Sequence, residues 1–143
     1  MIAGELALAS AALFAGAAVY VSFAEHPARQ NLAPAAALTE WKPAYKRGAV
    51  MQASLALIGF GLGLIAWWQT GAWLWLLGAI VLVANWPWTL FVILPVNKAL
   101  LATDPGNAGR ETMEQLDKWA RLHAMRSALG VAATLIFLLA ALR

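Results

Sequence analysis

Residues 48–97, GAVMQASLALIGFGLGLIAWWQTGAWLWLLGAIVLVANWPWTLFVILPVN, contain no Asp, Glu, Lys or Arg over 50 positions. The ~30 Å hydrocarbon core of a bilayer is crossed by roughly 20 apolar helical residues. This stretch therefore reads as two spans folded back on each other, with Gln69, Thr70 and Gly71 as the turn. Outward from it, residues 6–24 and 127–142 are two further charge-free runs, of 19 and 16 residues. The expectation is an all-α, antiparallel, integral membrane four-helix bundle, one domain over 1–143, with spans at about 3–25, 47–68, 73–96 and 118–142.

Composition closes the alternatives. Of 143 residues 62% are hydrophobic and 12% charged, against about 25% charged in soluble domains, which excludes a soluble globular domain and a disordered chain. A net charge of +3 is too small to imply nucleic acid. The absence of cysteine excludes thiol catalysis, zinc fingers and iron–sulfur clusters. Ser22 and Ala24 stand at the spacing of a leader cleavage site. However, the segment before them has Glu5 and no basic residue, and its apolar run exceeds the usual 7–15 residues, so it is expected to remain as a helix.

Nine of the ten Lys and Arg fall in two connections, Arg29, Lys42, Lys46 and Arg47 in one and Lys98, Arg110, Lys118, Arg121 and Arg126 in the other. The positive-inside rule places both connections in the cytoplasm and both termini outside a plasma (inner) membrane. Trp67, Trp68, Trp73 and Trp75 flank the opposite turn and read as an interfacial belt. Gly59 and Gly63 form a GxxxG pair, and Ala12 and Gly16 also stand four apart. Such residues let helices approach closely, within the chain or in a homodimer through Gly59 and Gly63.

Pro27 and Pro34 are expected to stop the first helix and keep 26–38 irregular, with Thr39 as N-cap of the second. The DPGN turn at 104–107 precedes a fourth helix that starts near 109 and extends into the cytoplasm, with Glu114–Lys118 and Asp117–Arg121 as i,i+4 pairs on its solvated face. Its other face, at 100° per residue, carries Trp119, His123, Arg126 and Gly130 toward the bundle.

Ionisable groups at membrane depth are expensive and read as functional. His26 ends the first helix and His123 starts the membrane part of the fourth, so both lie at one mouth of the bundle. Glu25, Arg126, Asn97, Tyr45 and Trp119 share that depth. An imidazole, a carboxylate, a guanidinium and an amide around an apolar cavity make an acid–base constellation, with Glu25 as the expected anionic partner of Arg126. Asn85 and Thr89 flank Pro87, and they either satisfy carbonyls freed by proline or serve the site. Trp41 and Tyr45, i,i+4, read as belt, or as a platform for a flat aromatic substrate.

The order EHPAR (25–29), WKPAYKRG (41–48), NWPWT (85–89), PVNKAL (95–100) and WARLHAMRS (119–127) resembles the anthrone oxygenase-like family of small four-helix membrane proteins. The resemblance runs from about Gly16 to Arg126. It implies oxidation of an activated methylene by dioxygen without flavin, as in fungal members acting on polycyclic anthrones. It also implies polar functional positions at His26, Arg29, Trp41, Tyr45, Arg47, Thr89, Asn97, Trp119, His123 and Arg126. Trp86 and Trp88 around Pro87 are bulkier than the family pattern and argue against a large tricyclic substrate.

Two functional expectations follow. The first is an oxygenase that needs no cofactor and takes a small hydrophobic, aromatic substrate from the lipid bilayer. His26, His123, Arg126 and Asn97 would be catalytic, and Tyr45, Trp41, Trp119, Thr89 and Glu25 would bind substrate. The second is a non-catalytic membrane subunit in which His26 and His123 ligate haem or copper, helped by Met51 or Met125.

Overall fold

A computed structural model describes residues 1–143. Four helices, α1 (Ile2–Arg29), α2 (Pro34–Thr70), α3 (Trp73–Ala102) and α4 (Arg110–Ala141), are each long and apolar enough to cross a membrane, and the chain has no strand. It is an integral membrane four-helix bundle. Each helix packs on its two neighbours, α1 on α2 and α4, and α3 on the same pair, which leaves α1 diagonal to α3. At 1.5 Å per residue the 37 residues of α2 extend about 55 Å, so the bundle projects beyond the hydrocarbon at the end that holds the α1–α2 and α3–α4 connections. This is called the polar end below.

Gly71, at φ 69° the one positive-φ residue, ends α2 in the left-handed conformation that glycine adopts without a Cβ clash. Asp104 caps the short turn at Pro105–Asn107 by accepting from the Gly106 N–H at 2.7 Å.

Pro27 does not stop α1. A proline lacks an N–H and its ring strikes the carbonyl four residues back. Here the preceding five residues, Val21–Glu25, form a π turn in which the His26 N–H reaches the Val21 carbonyl. The widened turn moves the carbonyls out of the proline's way and the helix runs on to Arg29. α3 repeats the device, with a π turn at Thr89–Ile93 and the Leu94 N–H on the Thr89 carbonyl, just before Pro95. The expected irregular stretch 26–38 shrinks accordingly. α2 begins at Pro34, whose fixed φ suits a first helical turn, and Thr39 is no cap, since its hydroxyl donates back to the Ala35 carbonyl at 2.7 Å.

Two apolar cores stack along the bundle. One fills the half that carries the termini, with Ala7, Ala11, Phe14, Ala56, Leu82, Ala133 and Phe137. Gly59 and Gly63 belong to it: a Cβ on Gly59 would meet Leu82 and Ser10, and one on Gly63 would meet Ala79 and Phe137. Their face is used inside the chain and is closed to the homodimer considered from sequence. Gly16, by contrast, has nothing within 4 Å of a built Cβ, and α1 packs through Ala7, Ala11, Phe14 and Ala18 rather than Ala12 and Gly16. Trp68 and Trp73 are exposed as a belt requires, but Trp75 is buried with its ring centroid 5.7 Å from that of Phe137.

The second core, at the polar end, joins Ala37, Leu38, Trp41, Leu100, Leu116 and Trp119. Helix extensions past the expected spans create it, since Ala37, Leu38 and Trp41 of α2, Leu100 of α3 and Leu116 of α4 all lie beyond those spans. The charge pairs of α4 also differ from expectation. Glu114 accepts from Arg110 at 3.0 Å, one turn before it rather than after, and Asp117 turns to α1 instead of to Arg121.

Candidate functional site

The layer between the two cores is polar. Glu25 and Arg29 from α1, Tyr45 and Gln52 from α2, Asn97 from α3, and Trp119, His123 and Arg126 from α4 line a small, partly open space of about 30 Å³. That is room for one water molecule.

One wall is a chain of rings. Tyr45 stacks on Trp41 (centroids 4.8 Å apart, planes 4° apart), Trp41 meets Trp119 edge-on at 5.7 Å, and Trp119 stacks on His123 at 5.0 Å. The Arg29 guanidinium lies over Trp119 at 5.9 Å and is held from two sides by Glu25 and Glu40. The Tyr45 hydroxyl accepts from Asn97 Nδ2 at 3.0 Å, which leaves the phenolic proton free for another acceptor.

His123 is buried. Its Nε2 is buried without a hydrogen-bond partner. Arg126 donates from Nη2 to Gln52 Oε1 at 3.0 Å and lies 5.6 Å from the centroid of the Phe14 ring. Its Nε is buried and unpaired. The ion pairs of the chain are Met1–Glu5, His26–Asp117, Arg29–Glu25, Arg29–Glu40 and Arg110–Glu114. Arg126 is in none of them, and Glu25, its expected partner, serves Arg29.

A second space, of about 180 Å³, lies between α2 and α3 and is bounded by Ala49, Ala53, Asn85 and Thr89 together with Tyr45 and Arg126. Tyr45 and Arg126 thus form a wall common to both spaces.

A family model described as anthrone oxygenase matches residues 41–136. The chain belongs to the anthrone oxygenase family. The match takes in Trp41, Tyr45, Gln52, Thr89, Asn97, Trp119, His123 and Arg126, and leaves α1 outside. No curated protein and no solved structure matches the chain.

In this anthrone oxygenase family chain, Tyr45, Asn97, Trp119, His123, Arg126 and Glu25 share the small space. His26 does not. Its Nε2 lies 3.2 Å from Asp117 Oδ1, the oxygen that also accepts from Gln30 at 3.0 Å, and it ties α1 to α4 outside the cavity. The π turn before it helps set the direction of its ring, which depth in the membrane does not register. Trp41 is fully buried with its neighbours on Tyr45 and Trp119, so it is neither belt nor open platform. Thr89 lines only the larger space. Gln52, the sole acceptor for Arg126, went unnoticed in the sequence. An amide inside a 50-residue charge-free run is the signal that could have found it, because polar groups at that depth need a reason.

The donor set does not suit haem or copper. His26 and His123 face different surroundings, Met51 and Met125 are exposed on the outside, no group of three or more His, Asp or Glu converges, and a water-sized space admits no porphyrin.

Proposed function

We propose that this protein is a plasma-membrane oxygenase, with both termini extracytoplasmic, that uses dioxygen to convert an activated methylene of a small hydrophobic aromatic substrate to a carbonyl. The observation that carries this reading is Arg126, a guanidinium buried in the bundle with an amide and a phenyl face as its neighbours and no carboxylate. An uncompensated charge in low dielectric is costly, and a site that forms an anion during its reaction gives that charge a partner. A fixed cation where an oxyanion develops accelerates reactions by about 10²–10³ for a single donor.

The net change is R–CH₂–R′ + O₂ → R–CO–R′ + H₂O. His123 Nε2, acting through the water-sized space, takes one proton from the methylene beside a carbonyl, and the resulting enolate oxygen faces Arg126. The enolate gives one electron to dioxygen, and the two radicals combine to form the C–O bond of a peroxide, which is protonated. Loss of the second C–H proton with cleavage of the O–O bond releases water and leaves the new carbonyl. Asn97 acts by fixing Tyr45, whose hydroxyl proton is free to donate to the same oxyanion.

The test is dioxygen uptake by the detergent-purified protein with 4-hydroxyphenylacetone and with anthrone, using ¹⁸O₂ and mass spectrometry. One ¹⁸O in the product carbonyl is expected, and loss of the reaction in Arg126→Ala. A folded protein that consumes no dioxygen with either compound overturns the reading.

A further inference from the structure

The space between α2 and α3 differs from the water-sized one in size, in lining and in what it faces. Toward the termini the two helices are close-packed through Gly59 on Leu82 and Gly63 on Ala79. Below Asn85 they contact each other far less. The reason is local. Pro87 and the π turn at Thr89–Ile93 deform α3, while beyond Tyr45 the side chains that α2 turns to the gap are the methyl groups of Ala49, Ala53 and Ala56. Leu90 and Phe91, beside the opening, are exposed on the outer surface, which in a bilayer means exposed to lipid. The Trp86 indole N–H bonds across the gap to the Ala53 carbonyl at 3.3 Å and forms one edge of the opening.

The polar atoms around this space lack partners. Asn85 uses Nδ2 on the Leu82 carbonyl at 3.0 Å, but its Oδ1 is buried and unpaired, as are Thr89 Oγ1 and Arg126 Nε. Thr89 is an exception within the chain. The hydroxyls of Ser10, Thr39, Ser54, Thr70, Thr103 and Thr134 donate to the carbonyl four residues back, Ser22 and Ser127 bond each other, and Thr112 accepts from Gly109. Lipid cannot satisfy these atoms. Asn85, 2% exposed, and Arg126, 8% exposed, make this a built site, not an incidental gap.

We infer that this slot admits the substrate sideways from the bilayer and binds a single aromatic ring carrying a hydroxyl and a carbonyl, with the hydroxyl donating to Asn85 Oδ1 and accepting from the Thr89 hydroxyl, and the carbonyl accepting from Arg126. Size sets the ring count. A cavity of about 150 Å³ holds benzene, so about 180 Å³ takes one ring with short substituents and not a tricycle. The donor and acceptor pattern sets the substituents, since Asn85 Oδ1 only accepts and Arg126 only donates. The placement also divides the labour. Arg126 and Tyr45 touch the ligand directly, and His123 reaches it through the water-sized space on the other side of that wall. The inference rests on the oxygenase reading for what happens after binding, but not for binding itself.

The experiment is calorimetric titration of the nanodisc-embedded protein with 4-hydroxyphenylacetone, phenylacetone and anthrone. The expected order has 4-hydroxyphenylacetone tightest and anthrone weakest. Ala53→Leu, which fills the slot from the lipid side without touching Arg126, weakens both single-ring compounds at least about tenfold, the scale of a lost pocket contact. Thr89→Val weakens 4-hydroxyphenylacetone about three- to tenfold and leaves phenylacetone unchanged. Anthrone binding tighter than either single ring, full affinity in folded Ala53→Leu, or an equal effect of Thr89→Val on both phenylacetones overturns the inference. Binding that follows the expected pattern without dioxygen uptake keeps the slot and overturns the oxygenase reading. Uptake indifferent to Ala53→Leu does the reverse.

Discussion

Gln52 is the residue whose replacement probes the buried cation most directly. It is 3% exposed and its Oε1 is the single side-chain acceptor for Arg126, at 3.0 Å. Gln52→Leu removes that acceptor at nearly constant volume. A hydrogen bond to a charged group contributes about 1.5–3 kcal/mol, more than the ~0.6 kcal/mol average for neutral bonds between membrane helices, so the unfolding equilibrium should shift by about 10- to 150-fold. Gln52→Glu does the opposite and gives Arg126 the carboxylate it lacks. This variant should be at least as stable as the parent in equilibrium unfolding from mixed micelles followed by circular dichroism. It should also lose about 10²–10³ in dioxygen turnover, because the cation is neutralised before any substrate oxyanion forms. The reasoning fails if Gln52→Glu turns over normally, or if it is less stable than Gln52→Leu.

At Gly78 a Cβ would lie 2.5 Å from Phe137 Cδ1 and 2.6 Å from Cε1, so Gly78→Ala should cost about 1–3 kcal/mol by overpacking, while Gly61→Ala, with nothing within 4 Å, should be within about 0.5 kcal/mol of the parent; chemical unfolding measures both. His123→Ala and Arg126→Ala should each abolish turnover, with the double variant no worse than either, and Lys118→Ala, on the exposed face, should be silent in the same assay. A reporter fused after Arg143 should be active outside the cytoplasm and one inserted in the DPGN turn inside it; the reverse pattern would invert the orientation.

The spans were legible because absence of charge over bilayer length is a one-dimensional property, and 48–97 carried it without interruption. The inward face of α4 was legible too, since an undistorted helix keeps its phase from Trp119 to Gly130. Depth placed His26 beside His123, but depth does not fix which way a ring turns, and Asp117 holds it outside the cavity; at the junction of α1 and α2 the prolines that read as stops sit in turns that tolerate them. Trp41 and Trp75 looked like belt because hydropathy registers depth but not direction, and only the packing of neighbouring helices decides which indole turns inward. The partner of Arg126 was misjudged for a similar reason. Charge complementarity nominated Glu25, whereas Arg29, one turn further on the same helix, already occupied it.

The two π turns have a consequence for how this chain tolerates changes in length. Each holds, relative to a regular helix, one residue too many. Deleting a single position within Val21–Glu25 would relax that turn to α geometry with little change of phase, because five residues at the smaller rotation of a π turn cover nearly the same angle as four at about 100° each, so Arg29 would stay directed toward Trp119 and His26 toward Asp117. The cost would be the Pro27 ring, brought back onto a carbonyl. A deletion within Thr89–Ile93 would likewise leave Asn97 beneath Tyr45. A deletion in a regular stretch of either helix would instead rotate all that follows by about 100°, so within the helices these two turns are the segments best able to lose a residue.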